Sequence, residues 1–205
     1  MKPIIIITGP ARSYTSMVAK FFIDNGAIMG NKSLDMGTYE RYEDLFIYDL
    51  FLRKKLHFTH INRESIRYYL KMFPDDKVII IKAPMLIYFV EDLQKLTERE
   101  IKVLYVLRNP ADVIASTIEK NSKINFMQAF DRYCGCYDMC STLLFDTYIL
   151  MAERLRTWEE MRRVLNWAGL NPIKKFADNI NKRESFFKFK IRSSVWKRIY
   201  RLLPH

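Results

Sequence analysis

The chain has 205 residues, roughly one to one and a half times the usual domain length of about 150, so one compact domain is expected over residues 1–205. With 49% hydrophobic residues, 14% aromatic ones and only 6 Gly and 7 Pro, it has the material for a packed core, which excludes disordered, collagen-like and linker classes. A net charge of +11 asks for an anionic partner, and the surplus is C-terminal: residues 151–205 carry 14 Lys and Arg against 5 Asp and Glu, residues 1–150 carry 20 against 18.

In chain order, Ile4 to Thr8 is a β-branched run that predicts a strand, too short for the apolar part of a secretion signal. The turn Gly9-Pro10-Ala11-Arg12-Ser13 follows, and Met17, Val18, Phe21 and Phe22 then fall at helical spacing up to Asn25-Gly26. Helices are expected from Tyr39 to about Lys55 and from His60 to about Phe73. A second buried strand is expected at Lys77 to Ile81, with Lys82 just past it and a helix opening at Pro84 that carries Leu86, Phe89, Val90 and Leu93. The third strand, Lys102 to Leu107, ends in Arg108-Asn109-Pro110 before a helix bearing Val113, Ile114 and Thr117. Further helices are expected from Phe126 to about Met151 and from Trp158 to about Ala168, stopping at Gly169.

Strands that are apolar on both faces and are followed by helices predict a three-layer α/β/α fold around a parallel sheet. Ligands of such sheets bind at the carboxyl ends of the strands, where Arg12, Lys82 and Arg108 all fall, and three cations on one edge predict a polyanion site. Gly9 to Ser16 has the form of a phosphate loop, since a helix N-terminus offers free amides and a positive dipole end, and Ser13, Thr15 and Ser16 add hydroxyls. It is not a Walker A loop, because Tyr14 and Thr15 stand where that motif needs Gly and Lys. That weighs against a nucleotide or small-molecule kinase.

The strand ending in Arg108-Asn109-Pro110-Ala111-Asp112-Val113, with Ser116 eight residues after the arginine, resembles the 3′-phosphate motif of sulfotransferases that use 3′-phosphoadenosine 5′-phosphosulfate (PAPS). The Arg12 to Ser16 loop resembles that family's 5′-phosphosulfate loop; Gly37-Thr38-Tyr39-Glu40 and Ile81-Lys82-Ala83-Pro84 are similar to two weaker elements of its bacterial members. The resemblance covers about residues 4–120. It implies a P-loop-like sulfotransferase fold and PAPS as sulfuryl donor, with no metal. Arg12 and Lys82 would stabilise the transferring group, Ser13, Tyr14, Thr15 and Ser16 would line the 5′-phosphate site, and Arg108 and Ser116 would hold the 3′-phosphate. Tyr14 departs from the family, which has glycine there, and Met17 replaces its adenine-stacking aromatic residue. A chain that binds nucleotide without transferring is the alternative this departure leaves open. Lys190 and Arg192, with Trp196 and Lys197, are a weak match to the family's C-terminal 3′-phosphate clamp.

For the base that takes the acceptor's proton, Glu40 is the first candidate, followed by His57 and His60. The expected acceptor is a small molecule, a lipid or a carbohydrate, and a peptide tyrosine would fit the same basic cleft. The basic, aromatic segment at about 182–205 completes the cofactor pocket, binds an anionic saccharide, touches a lipid surface or is simply solvated. Nucleic acid is not an expected partner, because the cations gather at strand ends and are not spread over an aromatic platform. Cys134, Cys136 and Cys140 are odd in number and closely spaced, which fits buried helix thiols in the cytoplasm better than disulfides or a four-ligand zinc site.

Overall fold

The structure is a computed structural model and describes residues 1–30, 44–48, 60–121, 123–142, 145–155 and 157–173. Its centre is a five-stranded, wholly parallel sheet in the order β2-β3-β1-β4-β5, formed by β1 (Ile4–Thr8), β2 (Ile28–Met29), β3 (Ile79–Lys82), β4 (Ile101–Leu107) and β5 (Thr147–Met151). The helices are α1 (Thr15–Asp24), α2 (Leu45–Tyr48), α3 (His60–Lys71), α4 (Val90–Gln94), α5 (Pro110–Lys120), α6 (Phe126–Ser141) and α7 (Trp158–Trp167).

Alternation along each strand divides the core in two. Ile5, Ile7, Ile80, Leu104 and Val106 pack with Val18, Phe21 and Phe22 of α1 and Met161, Val164 and Leu165 of α7. Ile4, Ile6, Ile79, Ile81 and Val103 face the other way, onto Ile66 and Leu70 of α3 and Leu86, Val90 and Leu93. Both faces are covered, which is why the strands read as unbroken apolar runs. Each fully buried Ile contributes roughly 1.5–3 kcal/mol of hydrophobic stabilisation, so β1 alone anchors the sheet.

Four expectations change. The run up to Met151 is not helical throughout: α6 stops at Ser141, and Thr147–Met151, rich in β-branched and aromatic residues, pairs along β4 with Val103 opposite Thr147 and Leu107 opposite Met151. Lys82 is the last residue of β3 and not just beyond it. The helix expected at Pro84 begins as a 3-10 turn, Pro84–Phe89, and becomes α-helical only at Val90. The cysteines of α6 are half-buried and unpaired, not core residues, and burial raises the thiol pKa of Cys136 and Cys140. Strand β2 is an element the sequence pattern did not indicate. Of the helix expected from Tyr39 to Lys55, the described residues hold only α2. No helix among the described residues is long and apolar enough to cross a membrane.

Candidate active site

The chain leaves β1 for one side of the sheet and later returns to its other side, so β1 lies between β3 and β4 and the crevice at its carboxyl end is where an open parallel sheet receives a ligand. The loop after β1 is shaped by backbone conformations that most residues avoid. Gly9 has φ +142°, and a Cβ there would collide with the Val106 carbonyl oxygen, so only glycine passes this close to β4. Arg12 and Tyr14 hold left-handed φ angles of 74° and 65°, which cost roughly 1–2 kcal/mol each in residues with a Cβ.

That strained path delivers Tyr14 to the position that opens α1, and no side chain caps the helix. The helix start is closed by its backbone alone, the Met17 amide donating to the Tyr14 carbonyl at 2.9 Å, and it presents the positive end of the helix dipole. Ser13 sits at the bottom of the loop with 0% exposure, and its Oγ is buried without a hydrogen-bond partner. An orphaned buried hydroxyl costs about 1–3 kcal/mol, so the loop stores strain and an unmet donor at one place. Lys82, 3% exposed at the end of β3, donates from Nζ to Ser16 Oγ at 3.1 Å, bringing a buried cation to the same helix start.

The turn after β4 has different chemistry. Asn109 caps α5 by accepting the Ala111 amide at 2.9 Å, and Pro110 occupies the first helical position, where a missing N–H costs nothing. This explains the Arg-Asn-Pro spelling: Asn and Pro start the helix, and Arg108 is thrown onto the sheet edge. Its guanidinium donates to the Arg12 carbonyl at 3.0 Å, lies 4.6 Å from the centre of the Tyr14 ring, and pairs with Asp112 at 3.6 Å. Arg12 in turn donates from Nε to Ser116 Oγ at 3.1 Å.

Arg12, Ser13, Tyr14, Thr15, Ser16, Lys82, Arg108 and Ser116 thus gather at one end of the sheet, with Arg12 bonded both to Arg108, through its carbonyl, and to Ser116, 104 residues away, through its side chain. Tyr14, the non-glycine of the loop, does not swing away; its ring covers the Arg108 guanidinium. Glu40, His57, Lys190 and Arg192 lie outside the described residues, as do Gly37 to Tyr39, Trp196, Lys197 and the whole segment 182–205. His60 begins α3.

Sequence reasoning missed Asp44, Tyr105 and Tyr133. Asp44 is fully buried; it donates its amide to the Lys82 carbonyl at 3.2 Å, accepts the Ile47 amide at 3.1 Å and accepts the Tyr69 hydroxyl at 2.5 Å. Burial raises its pKa, with those hydrogen bonds opposing. Tyr105 stands opposite Thr8 on β4, and its hydroxyl is buried without a partner. Burial pushes that phenol well above the usual tyrosine range, and Cys136, Cys140, Tyr133 and Tyr88 add to it. The Tyr133 hydroxyl reaches the Arg108 carbonyl at 3.3 Å. A tyrosine inside an apolar strand reads as core, which hid Tyr105; Asp44 had only its place before an apolar run as a capping signal. Among the described residues no group of His, Cys, Asp or Glu is placed to hold a metal.

No family model matches the chain, and no curated protein matches it either. Solved structures do. The sulfotransferase domain of the Synechococcus PCC 7002 olefin synthase is 12% identical, aligns over 100% of this chain and 89% of its own, and gives a TM-score of 0.55. Sulfotransferase STF9 from Mycobacterium avium is 12% identical over 92% of this chain and 68% of its own, with a TM-score of 0.58. A sulfotransferase from Alicyclobacillus acidocaldarius is 11% identical over 92% and 91%, with a TM-score of 0.52. At such identities the likeness is one of architecture, and in architecture this chain has the α/β fold of bacterial sulfotransferases.

Proposed function

We propose that the protein is a PAPS-dependent sulfotransferase acting on a hydroxyl or amine acceptor. The observation that carries this reading is the Arg12–Ser116 hydrogen bond with Arg108 held on the Arg12 carbonyl, because it joins the two phosphate-type motifs into a single cationic site. The residues fit the donor: the loop offers an uncapped helix start and an orphaned buried hydroxyl at Ser13, both suited to an anion. When bound, PAPS supplies a sulfuryl group whose bond to the 5′-phosphate oxygen breaks as a bond to the acceptor oxygen or nitrogen forms, leaving the 3′,5′-bisphosphate.

The chain's own part is electrostatic. Ser13, Thr15, Ser16 and the α1 amides would hold the 5′-phosphate, with Tyr14 at the rim. Arg12 and Lys82 place positive charge where negative charge gathers on the leaving oxygen, in a site already poor in water at Lys82. Arg108 and Ser116 would hold the 3′-phosphate, and each already has a polar contact that a phosphate oxygen could replace. Glu40, then His57, is the proposed acceptor of the proton. Lys190 and Arg192 are proposed further cofactor contacts. Calorimetric titration with 3′-phosphoadenosine 5′-phosphate, against ATP as control, tests the reading. Tight binding of the bisphosphate and weak binding of ATP is expected; preference for ATP, or binding of neither, would overturn it.

A further inference from the structure

Arg108 is the cation that the turn after β4 presents, and the chain itself engages its guanidinium on three sides. Nη1 donates to the Arg12 carbonyl at 3.0 Å, Nη2 lies 3.6 Å from the Asp112 carboxylate, and the Tyr14 ring centre is 4.6 Å away, so that 18% of the side chain is exposed. Ser116, eight residues on in α5, is also in use, accepting Arg12 Nε at 3.1 Å. Both groups proposed for the 3′-phosphate are therefore turned toward the loop after β1.

The ring is the part of this arrangement that the fold does not require. Tyr14 opens α1 with a left-handed φ of 65°, a backbone that disfavours any side chain. Among the described residues it joins neither face of the core, and it is 37% exposed, so apolar burial does not hold it in place. Its contact is the Arg108 guanidinium, which an aromatic face attracts through the negative charge above the ring. A bidentate grip on a phosphate needs both terminal nitrogens of Arg108, and both are directed at the chain. To take a phosphate, the guanidinium must turn off the Arg12 carbonyl and leave the face of the ring.

We infer that Tyr14 is a latch on Arg108: its ring parks the arginine against the loop after β1, and a nucleotide gains the arginine only by carrying a 3′-phosphate that turns it. The identity of that phosphate rests on the sulfotransferase reading above. A ligand that draws on Arg108 binds in proportion to the fraction of chains in which the arginine is released, whereas a ligand without a 3′-phosphate is indifferent to the latch. Donor and product share the 3′-phosphate, so the latch loosens the hold on both and keeps the bisphosphate product from binding at full strength. Tyr14 is thus a positioning residue, acting on the ligand through Arg108.

The test uses the full chain and binding, not turnover. The parent protein, Tyr14→Phe and Tyr14→Leu are titrated by calorimetry with 3′-phosphoadenosine 5′-phosphate and with adenosine 5′-monophosphate. Leucine keeps the left-handed backbone and the bulk but has no aromatic face; phenylalanine keeps the face. Tyr14 is at the surface, so both variants should fold, which circular dichroism checks. Tyr14→Leu should bind the bisphosphate about two- to fivefold more tightly than the parent, Tyr14→Phe should bind it as the parent does, and the monophosphate should not distinguish the three. A second readout needs no nucleotide: the Nε–Hε NMR signal of Arg108, identified by its loss in Arg108→Lys, should carry a ring-current shift in the parent and in Tyr14→Phe and lose it in Tyr14→Leu. Bisphosphate binding that Tyr14→Leu does not tighten, an equal tightening of the monophosphate, or an Arg108 signal that Tyr14→Leu leaves in place overturns the latch while the sulfotransferase reading stands. Bisphosphate binding by none of the three proteins overturns that reading and the latch with it.

Discussion

Two strand-to-helix turns meet at the carboxyl edge of the sheet and solve the same geometric problem in opposite ways. After β4, Asn109 caps α5 and Pro110 fills its first position, so the turn is chemically complete without a ligand. After β1, the helix is uncapped, Arg12 and Tyr14 are in left-handed conformations, and Ser13 Oγ is buried without a partner. A turn that satisfies itself contributes stability; a turn that does not is held by its surroundings and gains when an anion supplies the missing partners. The first motif thus carries the unmet donor and the strain, and the second is the self-satisfied turn that holds Arg108 on the Arg12 carbonyl.

The largest break in this comparison comes from removing the charge that joins the turns. Arg12→Ala should lower sulfuryl transfer by on the order of 100- to 1,000-fold, the usual cost of losing one preorganised group that stabilises developing charge. Arg12 is exposed, so the circular dichroism and melting curve should stay near those of the parent, and a variant that transfers at the parental rate would remove Arg12 from the mechanism. Next comes the backbone of the loop. Gly9→Ala meets both a φ of +142° and the Val106 carbonyl, so it should destabilise the fold by about 2–4 kcal/mol, read by denaturant or thermal unfolding. The scaffold turn should be milder: Asn109→Ala loses one cap and should cost about 1 kcal/mol.

How far these turns could be read from sequence follows from what each signal depends on. The β1 and β4 runs, the break at Gly9, and the Arg-Asn-Pro helix start are local patterns, and they appear in the structure where residue type alone places them. The gathering of Arg12 with Ser116 depends on β1 and β4 being neighbours, with Ile4 opposite Ile101, which spacing suggested and only pairing supplies. Strand β2 is two residues long, too short to show a period. The Thr147 to Met151 run is apolar in a way that helix and strand share, and its pairing with β4 decided the matter. Asp44 was not legible as a buried carboxylate, because burial of an acid is a property of its neighbours Tyr69, Ile47 and Lys82 and not of its own position in the chain.

The smallest effect is the one that separates the two turns most sharply. Tyr14 links them: its backbone belongs to the strained loop, and its ring rests on the arginine that the other turn presents. A guanidinium over an aromatic face at a partly exposed site is worth about 0.5–1 kcal/mol, and that contact must be given up or rearranged if Arg108 turns to a phosphate. Glycine at this position would also accept the left-handed φ of 65° without strain. Tyr14→Gly should therefore tighten binding of the 3′,5′-bisphosphate by about two- to fivefold in calorimetry, the equivalent of that contact energy. Weaker binding in Tyr14→Gly would mean that the ring is itself a wall of the nucleotide site, and the strained loop and its aromatic cover would then act together as one binding surface.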